Sequence, residues 1–186
     1  MLAAAALTTS PVRAEGNAPL QPYNYLHPPA ALAKTNHRPL SGKHSIPAKN
    51  GATTVSATMF TGDGQAGLGA HKGAFVVDKK ATSVLITITP VNTPGRLPTG
   101  YTPDGNAYRF TAQGIPGKKT ARTTQVMGMV LRWPRTPFAI YQYAGGKWTR
   151  LCDSSTWQIS QGLVVCNIRS LGTFVQVHHP TGVKPK

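Results

Sequence analysis

Apolar and polar residues alternate one for one through much of this chain, and that period of two constrains its fold more than any other feature. In Thr82–Pro90 the row Val84, Ile86 and Ile88 falls on one side, while Ser83, Thr87 and Thr89 fall on the other with Leu85. Pro90, which lacks an N–H, is expected to end that ladder. In Gln125–Trp133, Met127, Met129, Leu131 and Trp133 alternate with Val126, Gly128, Val130 and Arg132. Both sides there are largely apolar, as in a central strand of a packed sheet. Shorter runs of the same kind cover Thr53–Phe60, Gly73–Val77, Asn106–Thr111, Phe138–Tyr143, Lys147–Cys152, Gly162–Ile168 and Gly172–Val177. Helical spacing (i, i+3, i+4, i+7) never persists over about ten residues, so no helix is expected.

The punctuation between the runs agrees. The 19 Gly and 16 Pro supply turns, among them Thr61–Gly64, where Asp63 can accept from its own backbone two residues on, the basic turn Gly117–Arg122, and Ala144-Gly-Gly146. The longest loop is Asn92–Gly105. About nine or ten strands at roughly 8–15-residue spacing predict an all-β fold, an antiparallel two-sheet β-sandwich with an extended N-terminal arm. Residues 1–14 read as a truncated signal peptide, with Val12 and Ala14 as the small residues before a cleavage site. Residues 15–52 form the Pro-rich arm, whose Tyr23, Tyr25 and Leu26 can dock on the body. The sandwich spans 53–179 and a polar tail 180–186.

Cys152 and Cys166 are the only cysteines. Alternation puts Trp148, Arg150 and Cys152 on one side of their strand and Val164, Cys166 and Ile168 on one side of theirs. The pair is therefore expected to bridge adjacent strands of one antiparallel sheet, in preference to two free buried thiols or a metal site. A structural zinc site needs four ligands, and the nearest histidines, His178 and His179, are neighbours that face opposite sides of a strand. A disulfide in turn points to an oxidising, extracellular or cell-surface location.

Lys and Arg number 20 against 5 acids, a net charge of +15, which invites anionic polysaccharide, lipid headgroups or nucleic acid as a partner. The cations are scattered as singles and pairs such as Lys79-Lys80 and Lys118-Lys119, not gathered into a nucleic-acid-binding run. Tyr143, Lys147, Trp148, Arg150 and Trp157 collect near the Gly-Gly turn and form the candidate binding patch, with core packing as the competing role of the aromatics. No apolar stretch is long enough to be a spanning helix, so no integral membrane span is expected.

Catalysis is not expected. Glu15, Asp63, Asp78, Asp104 and Asp153 are the only acids, and three of the aspartates sit in turn sequences. Glycosidase chemistry needs a carboxylate pair, and metal-dependent hydrolysis needs several carboxylate or histidine ligands. The six histidines show no His-x-His or His-x-x-x-His spacing. Counting alone permits a Ser–His–Asp arrangement, but no Gly-x-Ser-x-Gly elbow is present. Gly62-Asp-Gly-Gln-Ala-Gly67 lacks the Lys-Ser/Thr ending of a phosphate loop, and no cofactor is expected.

Over residues 124–177 the order of motifs resembles the ZU5/GAIN-like β-sandwich modules of secreted bacterial proteins. The matching pieces are a strand ending in Trp133-Pro134, Ile140-Tyr-Gln-Tyr143, Gly146-Lys-Trp148 with Leu151, and Leu171-Gly-Thr-Phe174. The resemblance implies a structural or adhesion-type extracellular module. The His-Leu/Phe-Ser/Thr tripeptide at which some such modules cut themselves is absent from the sequence, so self-cleavage is not implied. A non-catalytic module of a larger envelope protein is the expected role, with a secreted cationic binding protein as the alternative.

Overall fold

A computed structural model describes residues 22–132, 139–153, 158–160 and 162–178. The expected signal peptide, the first residues of the arm, Trp133, Trp157 and the polar tail lie outside the described residues. Among those described, fifteen strands build two antiparallel sheets, and the only helical element is a 3-10 turn at Ala30–Leu32. The strands are β1 Gly42–Lys49, β2 Ala52–Thr53, β3 Ala57–Phe60, β4 Ala66–Ala70, β5 Phe75–Val76, β6 Ser83–Val91, β7 Thr102–Pro103 and β8 Ala107–Ile115. They continue with β9 Arg122–Thr123, β10 Met127–Arg132, β11 Ala139–Ala144, β12 Lys147–Asp153, β13 Gln158–Ser160, β14 Leu163–Ile168 and β15 Thr173–His178. The large sheet runs β12-β11-β15-β8-β6-β1-β2-β5-β9, with β7 beside β15, and the small one runs β13-β14-β10-β4-β3.

The two-sheet, all-β reading holds, but the count of nine or ten strands falls short for physical reasons. β2, β5, β7 and β9 have two residues each, too few to register as a period. β4, Ala-Gly-Leu-Gly-Ala, contains small residues in place of the usual branched ones, yet it lies between β3 and β10 with Ala66, Leu68 and Ala70 all buried. Ser56 breaks the run at 53–60 into β2 and β3, leaving Met59 inside and Val55 exposed. Residues 42–49, within the span read as the arm, form β1 between β6 and β2, and bury only Ile46 and Ala48. Their interleaving with Lys43, His44, Ser45 and Pro47 hides the pattern. Asn50-Gly51, at φ 55° and 87°, then closes a two-residue hairpin into β2.

Pro90 does not stop β6, which continues to Val91 opposite Ala107. Thr82 O accepts from Ala48 N, so the even residues of β6 direct their main-chain polar groups toward β1. The pairing with β1 ends at Gly42–Ile88, and Pro90 lies beyond it, where the missing N–H leaves no acceptor in want of a donor.

The core fills the space between the sheets. The large sheet contributes Val84, Ile86 and Ile88 from β6, Tyr108 and Phe110 from β8, and Phe174 from β15. Met127, Met129 and Leu131 of β10 meet them with Leu68 of β4 and Val164, Cys166 and Ile168 of β14. Phe110 and Phe174 pack edge to face at 5.2 Å. Each such large side chain stabilises the fold by roughly 1.5–3 kcal/mol when buried. On the opposite side of β10, Gly128 and Val130 are half-buried and Arg132 is buried, with Val126 exposed just before the strand, so the strand is central in its sheet and its outer face is partly covered.

Cys152 and Cys166 are bonded, their Cα atoms 6.4 Å apart, yet they are not on adjacent strands of one sheet. Cys152 belongs to β12 at the margin of the large sheet and Cys166 to β14 of the small one, so the bond ties sheet to sheet. Nor does Cys152 share a side with Trp148 and Arg150. Tyr141 pairs with Arg150 and Ile140 with Cys152, so Leu151 is one residue too many. This bulge shifts the alternation and brings Leu151 and Cys152 onto the core side, against the same cluster as Ile140.

Candidate functional site

Of the sequence patch, Tyr143, Trp148 and Arg150 share the outer face of the large sheet, Lys147 alternates to the other side of β12, and Trp157 lies outside the described residues. Register places Trp148, Tyr143, Thr173, Arg109 and Thr89 in one row across five strands. The neighbouring row on one side runs Arg150, Tyr141, Val175. On the other side Thr111, Thr87 and Lys43 align. Lys147 pairs with Ala144 across the Gly145-Gly146 turn, whose glycines adopt φ 58° and 81°.

A segment of the 92–101 loop divides this face in two. Leu97 and Tyr101 pack with Val91 and Trp148 over Ala107, Ala139, Tyr141, Val175 and Val177, forming a second, smaller apolar core outside the sandwich. Trp148 Nε1 donates to Pro94 O at 3.0 Å, its ring lies 5.0 Å from that of Tyr143, and Gly95 comes up against the Tyr143 hydroxyl. The two aromatics of the patch are thus half-buried beneath the loop, while Lys147 and Arg150 are exposed beside them. Tyr141 and Tyr101 rings lie 5.3 Å apart. Burial pushes the Tyr141 hydroxyl above its ordinary value, the bond with Tyr101 adds to this, and Arg150 opposes it.

The other half of the face, on β8, β6 and β1, is open. Its outward positions hold Arg109, Thr111, Thr87, Thr89, Lys43, Ser45 and Lys49, with Leu85 among them and no acid. Among the described acids, Asp63 lies in the β3–β4 turn, Asp78 precedes β6 and pairs with Lys119 at 3.6 Å between exposed side chains, Asp104 is buried beside β15, and Asp153 ends β12 opposite Ala139. Hydrogen bonding from Lys80 N, offset in part by desolvation, together with the nearby Lys119 holds the Asp78 carboxyl below its usual range. The face can therefore offer hydroxyls and separated cations to an anionic chain.

On the small sheet, Thr58, Gly69, Gly128 and Asn167 form a row across four strands and line a shallow hollow of about 430 Å³ with His71. Among the described residues no three of His, Cys, Asp and Glu stand close enough to hold a metal ion.

The sequence reading missed a buried polar cluster at one end of the sandwich. Gln65 opens β4's approach directly after Gly64 (φ 68°), and Asn106 precedes β8 directly after Gly105 (φ 97°). Both carboxamides are buried with the Tyr108 hydroxyl, which accepts from Gln65 Nε2 at 2.8 Å and Asn106 Nδ2 at 3.2 Å. Burial raises the Tyr108 hydroxyl to about 12 and drives Tyr23 up as well. Neutral phenols bonded to amides hold structure together; neither is poised to move a proton near neutral pH. The available sequence signal was a carboxamide directly after a turn glycine, at a strand entrance where a side chain turns inward.

A scan against protein-family models finds no family that matches this chain, and a search of curated proteins finds no match to it.

Proposed function

We propose that this protein is a non-catalytic extracellular or cell-surface module, a structural or adhesion-type unit of a larger envelope protein. The observation that carries the reading is the Cys152–Cys166 bond between the sheets. Such bonds persist in oxidising surroundings, and one placed between two layers of a sandwich resists their separation. The ZU5/GAIN-like order of motifs in residues 124–177 supports the same role. The test is mass mapping of non-reduced protein isolated from the compartment in which it accumulates. A bridged peptide pair in exported protein is expected; two free thiols on Cys152 and Cys166 would sink the proposal.

The open half of the large sheet favours a second reading, a cationic binding protein for anionic polysaccharide. Lys43, Lys49 and Arg109 stand there among hydroxyls with no acid at the outward positions. Trp148 and Tyr143 are tied beneath the 92–101 loop, so the aromatic platforms that single-stranded nucleic acid uses are engaged elsewhere. Retention on an anionic polysaccharide resin beyond physiological ionic strength, where charges are screened over about 8 Å, supports this reading. Elution below that point removes it.

A further inference from the structure

We propose that the cleft between Gln65 and Asn106 is a peptide-binding site, filled here by residues 23–26, and that it accepts the same segment from a second copy of this chain. The proposal does not depend on export or on the cationic face.

The main chain of the segment is held by carboxamide side chains, not by a strand. Gln65 Oε1 accepts from Asn24 N, and Gln65 Nε2 donates to Asn24 O at 2.9 Å. Asn106 Nδ2 donates to the same carbonyl at 2.7 Å, and Asn106 Oδ1 accepts from Leu26 N at 2.7 Å. Asn106 N donates to the Tyr23 hydroxyl at 2.8 Å. Gly105 makes room for that hydroxyl: a Cβ there would collide with it. The body thus presents two buried amides and a notch for one phenol. With the segment gone, Gln65 and Asn106 would lose most of the partners described for them, the main chain of Asn24 and Leu26 among them. A vacated cleft therefore favours any segment that restores these bonds.

The ligand is also a unit. Asn36 Oδ1 accepts from Tyr25 N at 2.7 Å and Asn36 Nδ2 donates to Tyr25 O at 2.9 Å, so residues 25–36 are clipped into a hook by their own side chain. Leu32 within the hook and Leu40 beyond it are exposed. The stretch from Leu26 to Gly42 is mostly solvated, and with the Asn36 clip open it spans about 50 Å when extended, enough to reach a neighbouring copy. Hollows of about 400 and 430 Å³ flank the segment, one lined by Pro22, Asn24 and Asp63, the other by Tyr25 and Gly105. Exchange of an identical element between copies is a low-cost route to association.

The test keeps the full chain as receptor. A fluorescent peptide of residues 22–41 is titrated by polarisation against the wild type and against Tyr23→Ala, whose own hook has lost its anchor. The attached hook competes at millimolar effective concentration, so the peptide should bind the Tyr23→Ala chain at least about tenfold more tightly than the wild type. Tyr23→Phe, which removes only the hydroxyl, should show a smaller gain in the same direction. Adding Asn106→Ala to either receptor should abolish it. Equal binding by folded wild-type and variant receptors, or binding indifferent to Asn106→Ala, overturns the site. To identify the occupant, a photo-crosslinking phenylalanine analogue is placed at position 23 in mixed light- and heavy-isotope full chains. Mixed-isotope adducts at residues 104–108 that increase with concentration are expected. Same-chain adducts alone at every concentration overturn exchange between copies.

Discussion

Cys152 and Cys166 join the marginal strand of the large sheet to an inner strand of the small one, with Ile140 opposite the first and Met129 opposite the second. The bond joins residues only 14 apart in the chain but ties together two layers that also meet through side-chain packing and the hydrogen bond from Gln176 Nε2 to Arg132 O. Replacing both cysteines with alanine should cost on the order of 3 kcal/mol. Urea unfolding should show a lower midpoint, and reduction of the wild type should reproduce most of the change.

The buried phenols give stability a dependence on alkaline pH. Unfolded tyrosine titrates near 10, while Tyr108 in the folded protein titrates at about 12 and Tyr23 is also raised. Above pH 10 the unfolded chain releases protons that the native chain retains, so stability falls as pH rises. It is unaffected by these groups below pH 10 and drops through the window from 10 to 12, by on the order of 2 kcal/mol for Tyr108. Tyr108→Phe should flatten this fall. Tyrosinate absorbance should develop late, with Tyr23 and Tyr108 ionising only as the fold opens and Tyr141 also above its ordinary value; early ionisation of all of them would contradict the assignment.

Two glycines separate strain from collision. Gly145, at φ 58°, has open space around it, whereas Gly105, at φ 97°, faces the Tyr23 hydroxyl. Gly145→Ala should cost only the left-handed backbone penalty, about 1–2 kcal/mol. Gly105→Ala should cost more, and the part due to collision with the hydroxyl should vanish in the Tyr23→Ala background. A double-mutant cycle by thermal unfolding measures the coupling.

Much of the fold was legible because alternation survives wherever branched residues line the core. Val84, Ile86 and Ile88 face inward as their spacing requires, and so do Met127, Met129 and Leu131. What escaped notice depends on partners distant in sequence. β4 is a strand because β3 and β10 flank it, despite its glycines. Leu151 bulges because Tyr141 and Ile140 pair with residues on either side of it, a register absent from the local pattern of β12. Trp148 and Tyr143 were visible as a cluster, but their covering by the loop follows from the Pro94 and Gly95 backbone, which no local signal announces. Gln65 and Asn106 looked like ordinary turn-flanking residues; only the fold brings the hook, 41 and 80 residues away, onto them.

On the open face, changing Lys43, Lys49 and Arg109 together to glutamine should lower the salt needed for elution from anionic polysaccharide. Thermal stability should stay within about 0.5 kcal/mol of the wild type, because these are exposed strand positions outside the core. The covered aromatic pair supplies the contrast: Trp148→Ala should destabilise the loop and leave elution largely unchanged.

The bulge at Leu151 gives β12 one residue more than simple alternation needs. Losing one residue between Trp148 and Cys152 would remove the bulge and leave the sulfur on the core side opposite Ile140, whereas losing two would turn it to the outer face, away from Cys166. The Gly145-Gly146 tip, with open space around both residues, carries no such constraint. Insertions and deletions should therefore accumulate at the hairpin's tip, and where its stem shortens, the loss of a single residue beside Leu151 is the change that keeps the bridge.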